Sequence, residues 1–266
     1  PKGVWEEEFP KVKDKLISST LYAGKIKKTY EKRKILIKNS VSLAPSLDSY
    51  GKQYQISKKP KLIEKVAFKK KVIRKSKLDS SVIVMGTSTG GPKTLRSILR
   101  RIPKVFPIPI CIVQHLDSFF MKEFSKSLNQ VSEIEVKIPE NGEKILPGIA
   151  YLSPGGKHMQ LIQKSNEPYI RIFEGEPVNF CKPSIDVLFF SAAEIYKNQV
   201  LGILLTGLGN DGAAGLEAIK NEGGRTIAES EETSVINGMP KAAVQRGAAE
   251  LVVPNYRISE KMIEFG

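Results

Sequence analysis

From residue 80 onward, short apolar runs alternate with stretches in which apolar positions recur every three or four residues. The runs at 82–85, 108–113, 200–205, 225–228 and 250–253 read as buried strands. Between them, 92–102, 119–129, 184–196, 213–221 and 240–246 carry helical spacing, with Pro92 and Pro240 in first-turn positions where a missing amide costs little. Strands alternating with helices predict an α/β domain with a largely parallel sheet. Residues 134–175 differ. Glu133-Ile134-Glu135-Val136-Lys137-Ile138 and Tyr169-Ile170-Arg171-Ile172 alternate strictly and predict antiparallel hairpin strands.

Before residue 78 the texture is different. Residues 1–77 hold 22 Lys and Arg against seven Asp and Glu, so the whole +14 charge of the chain originates there, and residues 78–266 are near neutral at −1. Apart from an amphipathic stretch at 9–21 that predicts a short helix, this part lacks the apolar area to offset the entropy of ordering. It reads as a solvated basic linker (1–77) ahead of one domain (78–266), with no nucleic-acid partner expected. No apolar run reaches the roughly 20 residues that a membrane span needs, and no secretory signal is present in the first 30 residues, which points to the cytoplasm. Two cysteines and two histidines are too few for a disulfide framework or a clustered zinc site, so neither metal nor cofactor is expected.

In open α/β sheets, ligands bind at the carboxyl ends of strands, which directs attention to three loops. Gly86-Thr87-Ser88-Thr89-Gly90-Gly91-Pro92 puts a serine on a tight strand-to-helix turn, similar in logic to a nucleophile elbow though without its spacing. A phosphate cradle is the rival reading, but the Lys-Ser/Thr tail of a P-loop is missing; a purely structural glycine turn is the third. Gln114-His115 ends the next strand and offers a base that titrates near neutrality. His158, in a turn before an apparent strand, reads as structural. Thr206-Gly207-Leu208-Gly209-Asn210-Asp211-Gly212 matches Gly-x-Gly-x-x-Gly through Gly207, Gly209 and Gly212, with Glu229 where a ribose-binding acid would stand, so a dinucleotide site is the main alternative. Against it, Asp211 places a carboxylate where pyrophosphate would sit. An aspartate there suits the orientation of a histidine better. Together the loops supply a nucleophile, a base and an orienting acid on one sheet edge.

These loops and several further segments resemble the catalytic domain of chemotaxis response-regulator protein-glutamate methylesterases (CheB), over residues 82–254. The segments include Asn141-Gly142-Glu143, Pro154-Gly155-Gly156-Lys157-His158-Met159, Lys182-Pro183-Ser184-Ile185-Asp186-Val187-Leu188-Phe189 and Gly238-Met239-Pro240. The resemblance implies a doubly wound, mostly parallel sheet flanked by helices on both faces, with a short antiparallel hairpin. It implies hydrolysis of glutamyl methyl esters on the cytoplasmic helices of methyl-accepting chemoreceptors, with deamidation of receptor glutamines in some members. Ser88 becomes the nucleophile, His115 the base and then acid, Asp211 its orienting carboxylate, the Leu208 amide an oxyanion donor and Thr89 a support for Ser88 and His115. It also implies an N-terminal receiver domain, phosphorylated by a chemotaxis histidine kinase, with Pro1 near its end. Two departures stand out. Leu208 replaces the usual Met, and Leu116-Asp117-Ser118-Phe119-Phe120 replaces Met-Pro-x-Gly-Phe, adding the charge of Asp117 beside the site.

Overall fold

The computed structural model describes residues 80–266; the linker and short helix expected within 1–77 lie outside the described residues. In chain order the elements are β1 (Val82–Thr87), α1 (Gly91–Leu99), β2 (Ile110–Gln114), α2 (Ser118–Asn129), β3 (Glu135–Lys137), β4 (Ile149–Leu152), β5 (His158–Lys164) and β6 (Glu167–Phe173). Then come α3 (Ile185–Tyr196), β7 (Val200–Leu204), α4 (Ala213–Asn221), β8 (Arg225–Glu229), α5 (Gly238–Gln245), β9 (Leu251–Val253) and α6 (Asn255–Phe265).

Seven strands form one sheet in the order β3-β4-β2-β1-β7-β8-β9, and every pairing in it is parallel. Because neighbouring strands are joined by crossovers that bring helices over both faces, the central strands are buried on each side and read as unbroken apolar runs. Strand pleating splits them between two cores. Val82 and Val84 of β1 join Leu188 and Phe189 of α3, Leu216 and Ile219 of α4 and Ala243 of α5 on one face. Ile83 and Met85 join Leu95 and Ile98 of α1, Met121 and Leu128 of α2 and Ile258 and Met262 of α6 on the other. The chain leaves β1 toward β2 on one side and later returns to set β7 on the other. The carboxyl ends of β1 and β7 therefore flank the switch point at which such sheets open a ligand crevice.

One local expectation needs correcting. Residues 133–138 do not enter a hairpin: β3 is the edge strand of the parallel sheet, paired through Val136 with Ala150 of β4. An edge strand is paired on one side only and is half exposed, so it shows the same alternation as a hairpin strand. The antiparallel pair is β5 with β6, His158 opposite Phe173 through to Lys164 opposite Glu167, and its Met159, Leu161 and Ile170 pack into the α3 core.

Candidate active site

The β1–β2 register ends with Thr87 opposite Gln114, so Ser88 and His115 are the next residues on adjacent strands. The ladder runs slightly past the strands themselves, with the His115 amide donating to the Thr87 carbonyl at 3.0 Å and the Ser88 amide to the Thr206 carbonyl at 2.9 Å. Gln114 fastens the two loops from beneath: its buried side-chain amide donates to the carbonyl of Ser88 at 3.0 Å and to that of His115 at 3.1 Å. On the β7 side, Gly207 is required by close approach, since a Cβ there would stand 2.7 Å from the Ser88 Cβ and collide with the Met239 sulfur.

Asp211 does not point at the amides of its own loop. Its Oδ2 accepts from His115 Nε2 at 2.9 Å and from the Ile185 amide at 2.7 Å, while Oδ1 accepts from Ser184 Oγ at 2.8 Å, Asn179 Nδ2 at 2.8 Å and the Asp186 amide at 3.3 Å. Ile185 and Asp186 open α3, and Ser184, which precedes them, makes no capping bond of its own. Asp211 thus caps α3 from the loop after β7, where the positive end of the helix favours its charge. The arrangement is reciprocal: Asp186 of α3 accepts from the Gly215 amide in the first turn of α4, and α4 has no side-chain cap at Gly212. Asn179 Nδ2 spans the pair, reaching Asp186 Oδ2 at 2.7 Å as well as Asp211. Gly86 permits this convergence, because a Cβ at the end of β1 would run into Ile185.

The electrostatics follow from these partners. Burial opposes the negative charge of Asp211, but the hydrogen bonds from His115, Asn179, Ile185 and Ser184 outweigh it and hold the carboxyl below its usual range. Burial likewise opposes an imidazolium at His115, yet its hydrogen bonds to Asp211 and Cys181, together with the charge of Asp211, push it up to about 9. Asp186 shifts the other way: burial raises it, helped by the nearby Asp211 charge and only partly offset by the Gly215 amide.

A charged carboxylate only accepts, so Nε2 of His115 carries the proton shared with Asp211, and the neutral ring presents a bare Nδ1. Nδ1 faces Cys181 Sγ at 3.6 Å. Among the described residues, Ser88 Oγ makes no hydrogen bond to His115. Serine–histidine bonds of this kind are commonly loose before substrate binds. Leu208 is exposed, and its amide has no hydrogen-bond acceptor among the described residues, which leaves it available to a developing oxyanion. Thr89 is exposed too, and among the described residues only its carbonyl is engaged, by Thr206 Oγ1 at 2.8 Å. Asp117 spends its carboxylate on the Phe119 amide at 2.9 Å as the cap of α2, so the departure after His115 is a helix start. His158 is buried, takes a bond from the Ser184 amide at 3.3 Å and lies 2.9 Å from the Glu176 carbonyl, a structural role one step behind Asp211.

A model of the CheB methylesterase family matches residues 83–262. The chain belongs to the CheB methylesterase family. Among CheB relatives, the protein-glutamate methylesterase/protein-glutamine glutaminase of Archaeoglobus fulgidus is 43% identical over 191 residues, covering 72% of this chain and 55% of the relative. That of Thermotoga maritima is 38% identical over 220 residues, covering 77% and 64%. The crystal structure of the Thermotoga maritima CheB methylesterase catalytic domain superposes with a TM-score of 0.70 at 39% identity, covering 71% of this chain and all of that one. The chain spans about half to two thirds of the length of the curated CheB relatives it matches.

CheB membership and the geometry together overturn the dinucleotide alternative. Glu229 cannot serve a ribose: it is buried, and its carboxylate already accepts from the Thr206 amide at 2.8 Å, Thr233 Oγ1 at 2.9 Å and Asn255 Nδ2 at 3.1 Å. Gly207 serves the approach of Ser88, and the carboxylate of Asp211 is turned onto α3, away from the phosphate position that the glycine spacing suggests. The spacing is real but the loop has other work.

Sequence reasoning assigned no role to Gln114, Asn179, Cys181, Ser184 or Asp186. A signal existed for the last two, since Ser-x-Asp ahead of an apolar run marks a helix start. None existed for Cys181, 66 positions from the histidine it touches.

Proposed function

We propose that this chain hydrolyses methyl esters of glutamate side chains on the cytoplasmic helices of methyl-accepting chemoreceptors, releasing methanol, and that the same site deamidates receptor glutamines. The observation that carries the reading is the 2.9 Å bond between His115 and the buried, capped Asp211, at the end of the strand beside that of Ser88. Ser88 Oγ attacks the ester carbonyl while His115 takes its proton at Nδ1, the nitrogen that Asp211 does not hold. The imidazolium that forms is stabilised by Asp211, which is itself kept ionised by α3 and Ser184. The Leu208 amide receives the oxyanion. Collapse expels methoxide, which leaves as methanol with the proton from His115. Water, deprotonated by the same nitrogen, then attacks the acyl-enzyme and restores Ser88 with a free glutamate.

In this reading the enzyme works in the cytoplasm without metal or cofactor, under a receiver domain phosphorylated by a chemotaxis histidine kinase. Among the described residues no helix is long and apolar enough to cross a membrane. The test is methanol release from methylated receptor membranes by the full chain. Wild type is expected to release it and Ser88→Ala to fall by at least a thousandfold; full activity in Ser88→Ala would overturn the assignment.

A further inference from the structure

His115, Cys181 and Asp211 bring an imidazole nitrogen, a thiol sulfur and a carboxylate oxygen within 4.8 Å of one another. Asp211 is a poor direct ligand, because both of its oxygens are committed to hydrogen bonds. Its effect is indirect. By accepting the Nε2–H hydrogen bond it fixes the tautomer of the neutral ring, in which the Nδ1 lone pair faces Cys181 Sγ, 3.6 Å away. A tetrahedral zinc-class cation, with bonds near 2.0–2.1 Å to nitrogen and 2.3 Å to sulfur, separates two such ligands by roughly 3.5 Å. A carboxylate behind the imidazole is also what metal-binding histidines use to set orientation and basicity.

The backbone that carries the sulfur is held in place as well. Val178 and Cys181 exchange both backbone bonds, at 3.1 and 2.9 Å, across a two-residue turn whose Asn179 and Phe180 have φ of 52° and 63°. Asn179 is in turn pinned to Asp186 and Asp211. Both ligand residues are partly exposed, so a cation can reach them.

We propose that Cys181 Sγ and His115 Nδ1 form a chelating site for a soft divalent cation of the zinc class, and that its occupancy inhibits the hydrolase. On binding, the thiol and, where the ring is charged, Nδ1 of the imidazolium release their protons to solvent; the thiolate and the bared Nδ1 each donate an electron pair to the cation, and water fills the remaining positions. The nitrogen that would deprotonate Ser88 is then blocked. The binding half stands on geometry alone; the inhibitory half rests on the esterase reading above.

The test titrates the full chain with Co²⁺, reading the thiolate-to-cobalt charge-transfer absorption, and with Zn²⁺, reading methanol release normalised to each variant's own zinc-free rate. With Cys111 buried and only one other cysteine in the chain, the band reports Cys181. Wild type and Ser88→Ala should both show the band, Cys181→Ser and Cys181→Ala should lose it, and half-inhibition of either Cys181 variant should need at least tenfold more zinc. A band that survives in both Cys181 variants, or no band in wild type, overturns the site. A band in wild type with zinc-insensitive methanol release overturns the inhibition. If wild type releases no methanol at all, the esterase reading fails while the cobalt band still decides the site.

Discussion

Asp211→Asn separates orientation of His115 from support of the fold, because the carboxylate does both. Asparagine keeps one acceptor oxygen and turns the other into a donor. If the new NH₂ takes the Oδ2 position, His115 can switch tautomer and accept from it, but the Ile185 amide, now 2.7 Å from another donor, cannot. If it takes the Oδ1 position, the Ser184 hydroxyl can reverse, but the Asp186 amide at 3.3 Å loses its acceptor. Either way one buried main-chain donor is stranded, at a cost of about 1–3 kcal/mol. For a domain of this size that lowers the melting temperature by roughly 2–4 °C per kcal/mol. The catalytic loss is far larger: with the NH₂ at the Oδ2 position the histidine is left in the wrong tautomer and turnover falls by about 10⁴-fold. The two losses are read separately, by urea unfolding and by methanol release from folded protein. Turnover within tenfold of wild type would refute the orienting role, and unchanged stability would refute the capping of α3.

Asp186→Ala should cost about 1–3 kcal/mol by removing the acceptor of the Gly215 amide at the start of α4, measurable in the same urea titration, while turnover falls far less than in Asp211→Asn. Gly207→Ala should leave the domain folded but lower kcat at least tenfold, because the new methyl displaces Ser88; an unchanged kcat would contradict the close approach seen here. His115 must be neutral to accept a proton and is held up to about 9 in the folded chain, so kcat/KM should climb with pH and level off above about 9. The same shift affects stability with the opposite slope. His115 titrates near 6.5 when unfolded, so the gain from its charged pair with Asp211 is full below that pH and lost as pH rises through about 9. Asp211→Asn should flatten this component of a stability–pH curve.

Local pattern determined much of this protein. Apolar runs marked five of the seven strands of the parallel sheet, and the alternation of strands with helices marked the layered α/β class. Both are short-range consequences of burial on two faces or one. The positions of Ser88 and His115 immediately after strands, and of Asp211 in the loop that follows β7, were legible for the same reason, since a strand end is visible in the pattern and a sheet collects strand ends on one edge. Tertiary structure alone decided the rest. Whether the alternating residues 135–137 paired with a hairpin partner or with β4 depended on a crossover, because periodicity records exposure and not the partner. The glycine spacing of 207–212 looked like a nucleotide loop until the fold aimed Asp211 at α3 and used up Glu229 elsewhere. The acceptors around Asp211 and the thiol facing His115 come from residues 179–186, brought there only when α3 crosses the end of β1 past Gly86. Hydrogen bonds between such distant groups leave no trace in local composition, since each residue is chosen for a neighbour that the chain supplies only on folding.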